Sequence, residues 1–447
     1  MKKTLVLSLA SIVAITGLQA AEDLSSMFTE GETSGQIRMF YIDRQYQGGS
    51  GADTHRNSLA LGGHLKYETA AWNGLSVGAA FYTTNGMHGL DYNVVDPSLL
   101  GTGLKSYSIL GEAYANIDLS DFGTKTNAKL GYQRFDVPMM GSDDARMLPN
   151  TFEAYKFTNN DIENVNFQIA HVDRIAYGTF SNIYNGLTGS SILASTAGYP
   201  SQRGVGTGEY LNMGKAAVGK ETDGVTNALV SFKNKNFRAK ISNDYAWDLY
   251  NTLYADAGMT WSVLSLDAQV IKQNSVGGAY MQDSVLGGSG KVDSLYWAAK
   301  IGAKYAGFSG YLAYSQTGAN SATDDSYNNA ILSQFGGMPA YTQGMVTRHQ
   351  FLAGTAATKA VLAYSFKELG TNLSAAAYYT SFDMDANSGY GVARTATEPG
   401  FDVKYYPAAV KKLQLRFRGN FPKNFAEGTA GADTGWNEYR LIANYNF

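Results

Sequence analysis

From Gly35 to Phe447 the chain alternates apolar and polar residues with period two, in segments of about ten residues, and contains no apolar run of membrane-helix length. Period two puts successive side chains on opposite faces of an extended strand. Leu59, Leu61, Leu65 and Tyr67 oppose His64, Lys66 and Glu68. After Asn73-Gly74, a tight-turn signal, Leu75, Val77, Ala79 and Phe81 oppose Ser76, Gly78, Ala80 and Tyr82. Leu295, Trp297, Ala299 and Ile301 oppose Tyr296, Lys300 and Gly302, and Tyr439, Leu441, Ala443, Tyr445 and Phe447 oppose Glu438, Arg440, Asn444 and Asn446.

Eighteen such segments are readable: 37–44, 58–69, 75–84, 106–117, 125–135, 151–157, 165–174, 223–233, 237–247, 250–260, 264–273, 292–304, 308–317, 356–366, 371–382, 398–406, 412–420 and 437–447. Most approach the length of about nine to eleven residues that a tilted strand needs to cross a bilayer. Short connections at 70–74, 118–124, 234–236, 305–307 and 407–411 are separated by long ones at 85–105, 136–150, 175–222, 274–290, 318–355 and 421–436. The expectation is an all-β fold: a transmembrane antiparallel β-barrel of eighteen strands, with short periplasmic turns and long extracellular loops. An even strand number puts both termini on the periplasmic rim, and the terminal aromatic Phe447 suits an assembly signal.

Composition supports a barrel over several soluble domains. The 447 residues include 50 Gly, 31 Tyr and 21 Phe but only 16% charged residues, a pattern of turns, strands and interfacial aromatics. A β-sandwich of this length would need several domains joined by linkers, and a solenoid a repeat; neither is present in the sequence. Lys2 and Lys3, the apolar stretch Leu5 to Ile15 and Gly17-Leu18-Gln19-Ala20 have the order of a secretory signal peptide. Residues 1–20 are therefore expected to be the signal peptide, and 21–447 a single barrel domain with an inward-folding loop near 136–150. The net charge of −3 gives no reason to expect nucleic acid as a partner, and with no cysteine the chain forms no disulfide.

Charge placement then identifies the inner face. A Lys or Arg facing lipid near the midplane costs about 2–4 kcal/mol, so cations are expected on the water side. Arg416 and Arg418 oppose Leu413, Leu415 and Phe417; Lys404 shares parity with Asp402 against Phe401, Val403 and Tyr405; Arg440 opposes Tyr439 and Leu441. Arg38 and Arg44 oppose Ile37, Met39 and Tyr41, although Phe40 and Ile42 share the arginine face. Closing the last strand onto the first would line up Lys404, Arg416, Arg418, Arg440, Arg38, Arg44 and Lys66 as one basic wall. At about 6 Å and water's dielectric each charge attracts an anion by roughly 0.7 kcal/mol, and four together by about 3 kcal/mol before screening. Alternatively these cations only balance lumenal acids such as Glu68, Glu112, Asp402 and Glu438.

Several segments match a known family. The run Gly131-Tyr132-Gln133-Arg134-Phe135-Asp136-Val137-Pro138, followed by Ser142 to Glu153 with Asp143, Asp144 and Arg146, resembles the third-loop region of the OprD family of outer-membrane porins. Gly35-Gln36-Ile37-Arg38 to Tyr41-Ile42-Asp43-Arg44 and Leu61-Gly62-Gly63-His64-Leu65-Lys66-Tyr67-Glu68-Thr69 resemble that family's first two strands. The resemblance implies a monomeric or loosely homotrimeric barrel in the outer membrane of a Gram-negative bacterium, in contact with lipid and lipopolysaccharide. It implies that the third and seventh loops constrict the lumen, and that a basic ladder faces a more acidic patch along which small carboxylate-bearing solutes diffuse. Asp143, Asp144 and Arg146 fall in the narrowing loop. The seventh loop, 318–355, carries Asp324 and Asp325 among many Asn, Gln, Gly and Ser, without a close match to the family, and 175–222 is also poorly matched.

Catalytic motifs are weak. The five histidines, His55, His64, His88, His171 and His349, have neither H-x-x-x-H nor H-E-x-x-H spacing. Gly214 to Lys220 imitates the start of a phosphate loop, but Glu221 stands where a metal-binding Ser or Thr belongs. The pair Asp143-Asp144 could hold a cation, yet acids in a polar loop are more often solvated. No enzyme activity, cofactor or metal is expected. Two functions are weighed: passive diffusion of small solutes favouring anions or carboxylates, and a surface-exposed structural or adhesive barrel whose long loops bind other molecules.

Overall fold

The computed structural model describes residues 21–48, 55–87, 95–182, 208–277, 288–427 and 432–447. The expected signal peptide, His88 and parts of the long loops lie outside these residues. Among them are eighteen long antiparallel strands. The first six are β1 (Glu32–Gly48), β2 (His55–Glu68), β3 (Leu75–Gly86), β4 (Tyr107–Asp118), β5 (Thr126–Gln133) and β6 (Thr151–Asn159). The next six are β7 (Val165–Ala176), β8 (Val225–Lys233), β9 (Phe237–Ala246), β10 (Tyr250–Trp261), β11 (Leu264–Ser275) and β12 (Asp293–Tyr305). The last six are β13 (Phe308–Thr317), β14 (Ala356–Ser365), β15 (Leu373–Met384), β16 (Arg394–Tyr405), β17 (Leu413–Asn420) and β18 (Ala432–Asn446). Two short pairings, Leu211–Asn212 and Phe425–Glu427, add to loops.

Each strand pairs with its sequence neighbour, and β18 closes the ring on β1 in a register running from Gln36↔Asn446 to Gly48↔Thr434. Closure leaves no edge to pair with another chain. Eighteen segments were expected and eighteen strands form. Alternation predicts them well because lipid enforces it: Ile37, Leu65, Phe81, Leu312 and Leu441 are exposed on the outer face, while their sequence neighbours are more enclosed. The turn at Asn73-Gly74 has positive φ at both residues, 48° and 79°, as a two-residue hairpin requires.

The interior is less simply polar than a water-filled cylinder. Phe40 and Ile42, which break the parity rule on β1, face inward but are covered by Leu99, Leu100, Met147 and Leu148 of two loops. A second apolar core joins Val137 and Met140 to Leu332, Phe335, Val346 and Leu352, and to inward wall residues such as Ala246, Tyr250 and Phe382. The loops 136–150 and 318–355 thus fold into the lumen because each carries apolar residues whose burial there is favourable.

Candidate functional site

The loop 136–150 is fastened to the β1–β18 wall by ion pairs. Arg38 on β1 donates to Asp144 Oδ1 at 2.6 Å and to the Arg146 carbonyl at 2.5 Å, while its Nε reaches Asn444 on β18 at 2.9 Å. Arg146 in turn reaches Glu438 Oε1 at 3.2 Å. Glu438 is fully enclosed and also receives Arg44 Nε at 2.9 Å and Arg440 Nε at 2.5 Å. Arg44 makes a further pair with Asp96 at 2.8 Å. One carboxylate with three guanidinium partners is expensive to desolvate but costly to disrupt, since removing it takes the acid from Arg146 and Arg440 and leaves Arg44 only Asp96.

The two acids of this loop are driven in opposite directions. Burial pushes the Asp143 carboxyl up, against a weaker pull from Arg348 at 3.9 Å and the Gly337 N–H. Burial acts on Asp144 as well, but Arg38, by charge and hydrogen bond, and Arg134 hold it below the usual carboxylate range. Asp143 is largely enclosed, and Asp144, although partly exposed, is held by Arg38 and Arg134. Their partners are arginines and backbone, a setting for an ionic clamp and not for a cation site.

The loop 318–355 is fastened to the opposite wall. Gln273 on β11 both donates to the Leu332 carbonyl at 2.8 Å and accepts from its N–H at 2.7 Å. Ser315 on β13 meets Thr342 at 2.6 Å, and Thr380 on β15 donates to the Thr342 carbonyl at 2.6 Å. The two loops meet in mid-lumen: Met140 bridges to Phe335, and the Gly141 N–H donates to the Phe335 carbonyl at 3.0 Å. Together they form a partition from the arginine wall to the far side.

This arrangement divides the seven basic residues singled out in the sequence. Arg38, Arg44 and Arg440 are buried as anchors of loops or wall. Lys66 faces inward and pairs with Glu68 at 2.9 Å. Lys404, Arg416 and Arg418 surround the single carboxylate of Asp402: Arg416 Nε donates at 2.8 Å, Arg418 lies at 3.8 Å and Lys404 at 3.9 Å. Three cations on one acid leave two charges uncompensated. Arg418 also lies directly across from Arg440 on β18, and its Nε is enclosed without a hydrogen-bond partner among the described residues.

Sequence reading passed over a second charged group, on β9 to β12. Arg238 pairs with Asp256 and, at 2.6 Å, with Asp267, which also meets Lys300 at 3.2 Å. Its two cations and two acids balance. The signal was available, because all four residues share the inward parity of neighbouring strands. The phosphate-loop imitation is a short helix, Met213–Val218, whose first N–H groups are already taken by the Asn212 side chain.

Comparison with known proteins adds the following. A family model described as outer membrane porin, OprD family, matches residues 26–447. No curated protein matches the sequence. Among solved structures, OpdG of Pseudomonas aeruginosa is similar with a TM-score of 0.71 at 18% identity, over 94% of this chain and 99% of that one. A BenF-like porin of Pseudomonas fluorescens gives 0.70 at 15% identity, again over 94% and 99%. OpdK of Pseudomonas aeruginosa, crystallised with vanillate, gives 0.69 at 15% identity with the same coverage.

Proposed function

The chain belongs to the OprD family of outer-membrane porins, and on that premise we propose that it is a passive channel for small solutes that favours anionic, carboxylate-bearing molecules. The observation that carries this reading is the group of Lys404, Arg416 and Arg418 around Asp402, whose net charge is positive by two. Lys404 and Arg416 keep part of their surface open to the lumen, where an arriving carboxylate meets a charged donor. The vanillate held by OpdK, an aromatic carboxylate, fits the same chemistry.

The other cations contribute less to selectivity, because Arg38, Arg44 and Arg440 are buried in ion pairs with Asp144, Asp96 and Glu438, and Lys66 pairs with Glu68. The expected preference is therefore smaller than an unpaired seven-residue wall would give. Two uncompensated charges at about 6 Å amount to roughly 1.4 kcal/mol, or about tenfold, before screening.

Planar bilayers test the reading through reversal potentials under a salt gradient. The native channel is expected to favour anions. Arg416→Glu with Arg418→Glu turns the local charge from plus two to minus two, so the double variant is expected to favour cations. An unchanged reversal potential would mean that these side chains do not face the permeation path. A silent bilayer would instead favour a structural or adhesive barrel.

A further inference from the structure

We propose that Glu398 is the latch that holds the 318–355 loop across the lumen, and that this one side chain thereby sets the conductance of the channel. The inference rests on the porin reading above and concerns how the constriction is kept in place. Glu398 lies on the inward face of β16, in line with Asp402 and Lys404, and is completely enclosed. Among the described residues its carboxylate makes no ion pair within 4 Å, although Lys359 on β14 lies within electrostatic reach. It accepts instead from three consecutive backbone N–H groups of the loop: Met345 at 2.6 Å, Val346 at 3.4 Å and Thr347 at 3.0 Å. The Thr347 hydroxyl adds a bond at 2.5 Å, and the Tyr378 hydroxyl from β15 another.

Successive backbone N–H groups curled around an oxygen form an anion-binding concavity. Here the barrel itself supplies the anion. Gly344 makes room for it, since a Cβ at that position would collide with the Glu398 carboxylate. Lys359 on β14 secures the preceding residue by donating to the Gln343 carbonyl at 2.6 Å. Most other polar ties between this loop and the wall are bonds between neutral groups, such as those of Gln269 and Thr380. A charged acceptor is worth roughly twice a neutral one, so Glu398 is the strongest single point of attachment.

Removing the carboxylate leaves three N–H groups without their acceptor inside a closed space, and the loop regains them only by moving toward water. In planar bilayers Glu398→Ala is expected to raise single-channel conductance at least about twofold, as the constriction opens. Because the chain has no cysteine, Ser315→Cys with Thr342→Cys, at positions whose hydroxyl oxygens lie 2.6 Å apart, supplies a reversible staple. In the Glu398→Ala background the oxidised staple is expected to return the conductance to the native value, and dithiothreitol to raise it again. Unchanged conductance in an assembled Glu398→Ala barrel overturns the proposal, as does a rise that the staple fails to reverse. Should Glu398→Ala not assemble, Glu398→Gln and Thr347→Val are read in the same way, and native conductance in both overturns it. A native protein with no conductance would sink the porin reading itself, whereas a conducting native channel unmoved by these variants sinks only the latch.

Discussion

Asp143 and Asp144 are adjacent in sequence but belong to different attachments, and this gives the constriction a defined response to acid. The carboxyl of Asp144 is held low by Arg38 and Arg134 in spite of burial. A group depressed in the folded state stabilises the fold above its unfolded value of about 3.9 and loses that contribution as pH falls through the folded value. Asp143 is raised by burial. The folded protein therefore binds its proton more tightly than the unfolded chain, so its contribution favours the fold as pH falls and is lost as pH rises through the folded value. Neither acid releases the 136–150 loop on mild acidification. Single-channel conductance is expected to stay level from pH 7 to about 4 and to change only below that, as Asp144 takes up its proton. A step near pH 6 would show that the loop is held by some other group.

At the scale of strands and loops, the close approach of β1 and β2 makes a sharp demand on sequence. Gly63 on β2 has φ of +130°, and a Cβ there would run into the Gln36 carbonyl of β1. Gly103 also has positive φ, +67°, but has open space around it. Gly103→Ala is expected to cost about 1 kcal/mol for the backbone conformation alone, whereas Gly63→Ala must also displace a neighbouring strand. Urea titration of the heat-modifiable folded band should show a small shift for the first and a large one, or failure to assemble, for the second. Equal shifts would mean that the β1–β2 pair tolerates a side chain there. The strands themselves were legible because each must satisfy lipid on one side, which writes period two into the sequence. The seventh loop was not. Its many Asn, Gln, Gly and Ser show no close match to the family, yet Tyr327, Ile331, Leu332, Phe335, Met338 and Phe351 lie buried inside the barrel. Irregular backbone packed by shape has no period to detect, and the one usable signal was that so many large apolar residues do not suit an extracellular loop. For the same reason Glu398, which shares parity with Asp402 and Lys404, went unnoticed in the sequence: parity does not show that backbone N–H groups fill the space before it.

For the molecule as a whole, net charge is a poor guide to what passes through. The chain is negative by three, while the proposed permeation path favours anions, because much of the lumenal charge is held in buried or local ion pairs. Arg238 and Lys300 are balanced by Asp256 and Asp267 and Lys66 by Glu68, while the anchors Arg38, Arg44, Arg146 and Arg440 are buried around Asp144, Asp96 and Glu438. What remains outside the buried anchors is the excess around Asp402, whose three cations keep part of their surface exposed and are so open to screening. The Debye length is about 30 Å at 0.01 M salt but only about 3 Å at 1 M. At 0.01 M the field of Lys404, Arg416 and Arg418 spans the passage, and anion preference is expected to approach about tenfold. At 1 M it falls within a side-chain length, and the preference should shrink toward unity. Reversal potentials measured across that range of ionic strength would show this decline. A preference that persisted at 1 M would mean that solutes lose their water and touch the guanidinium groups directly, so that selectivity comes from binding and not from the field.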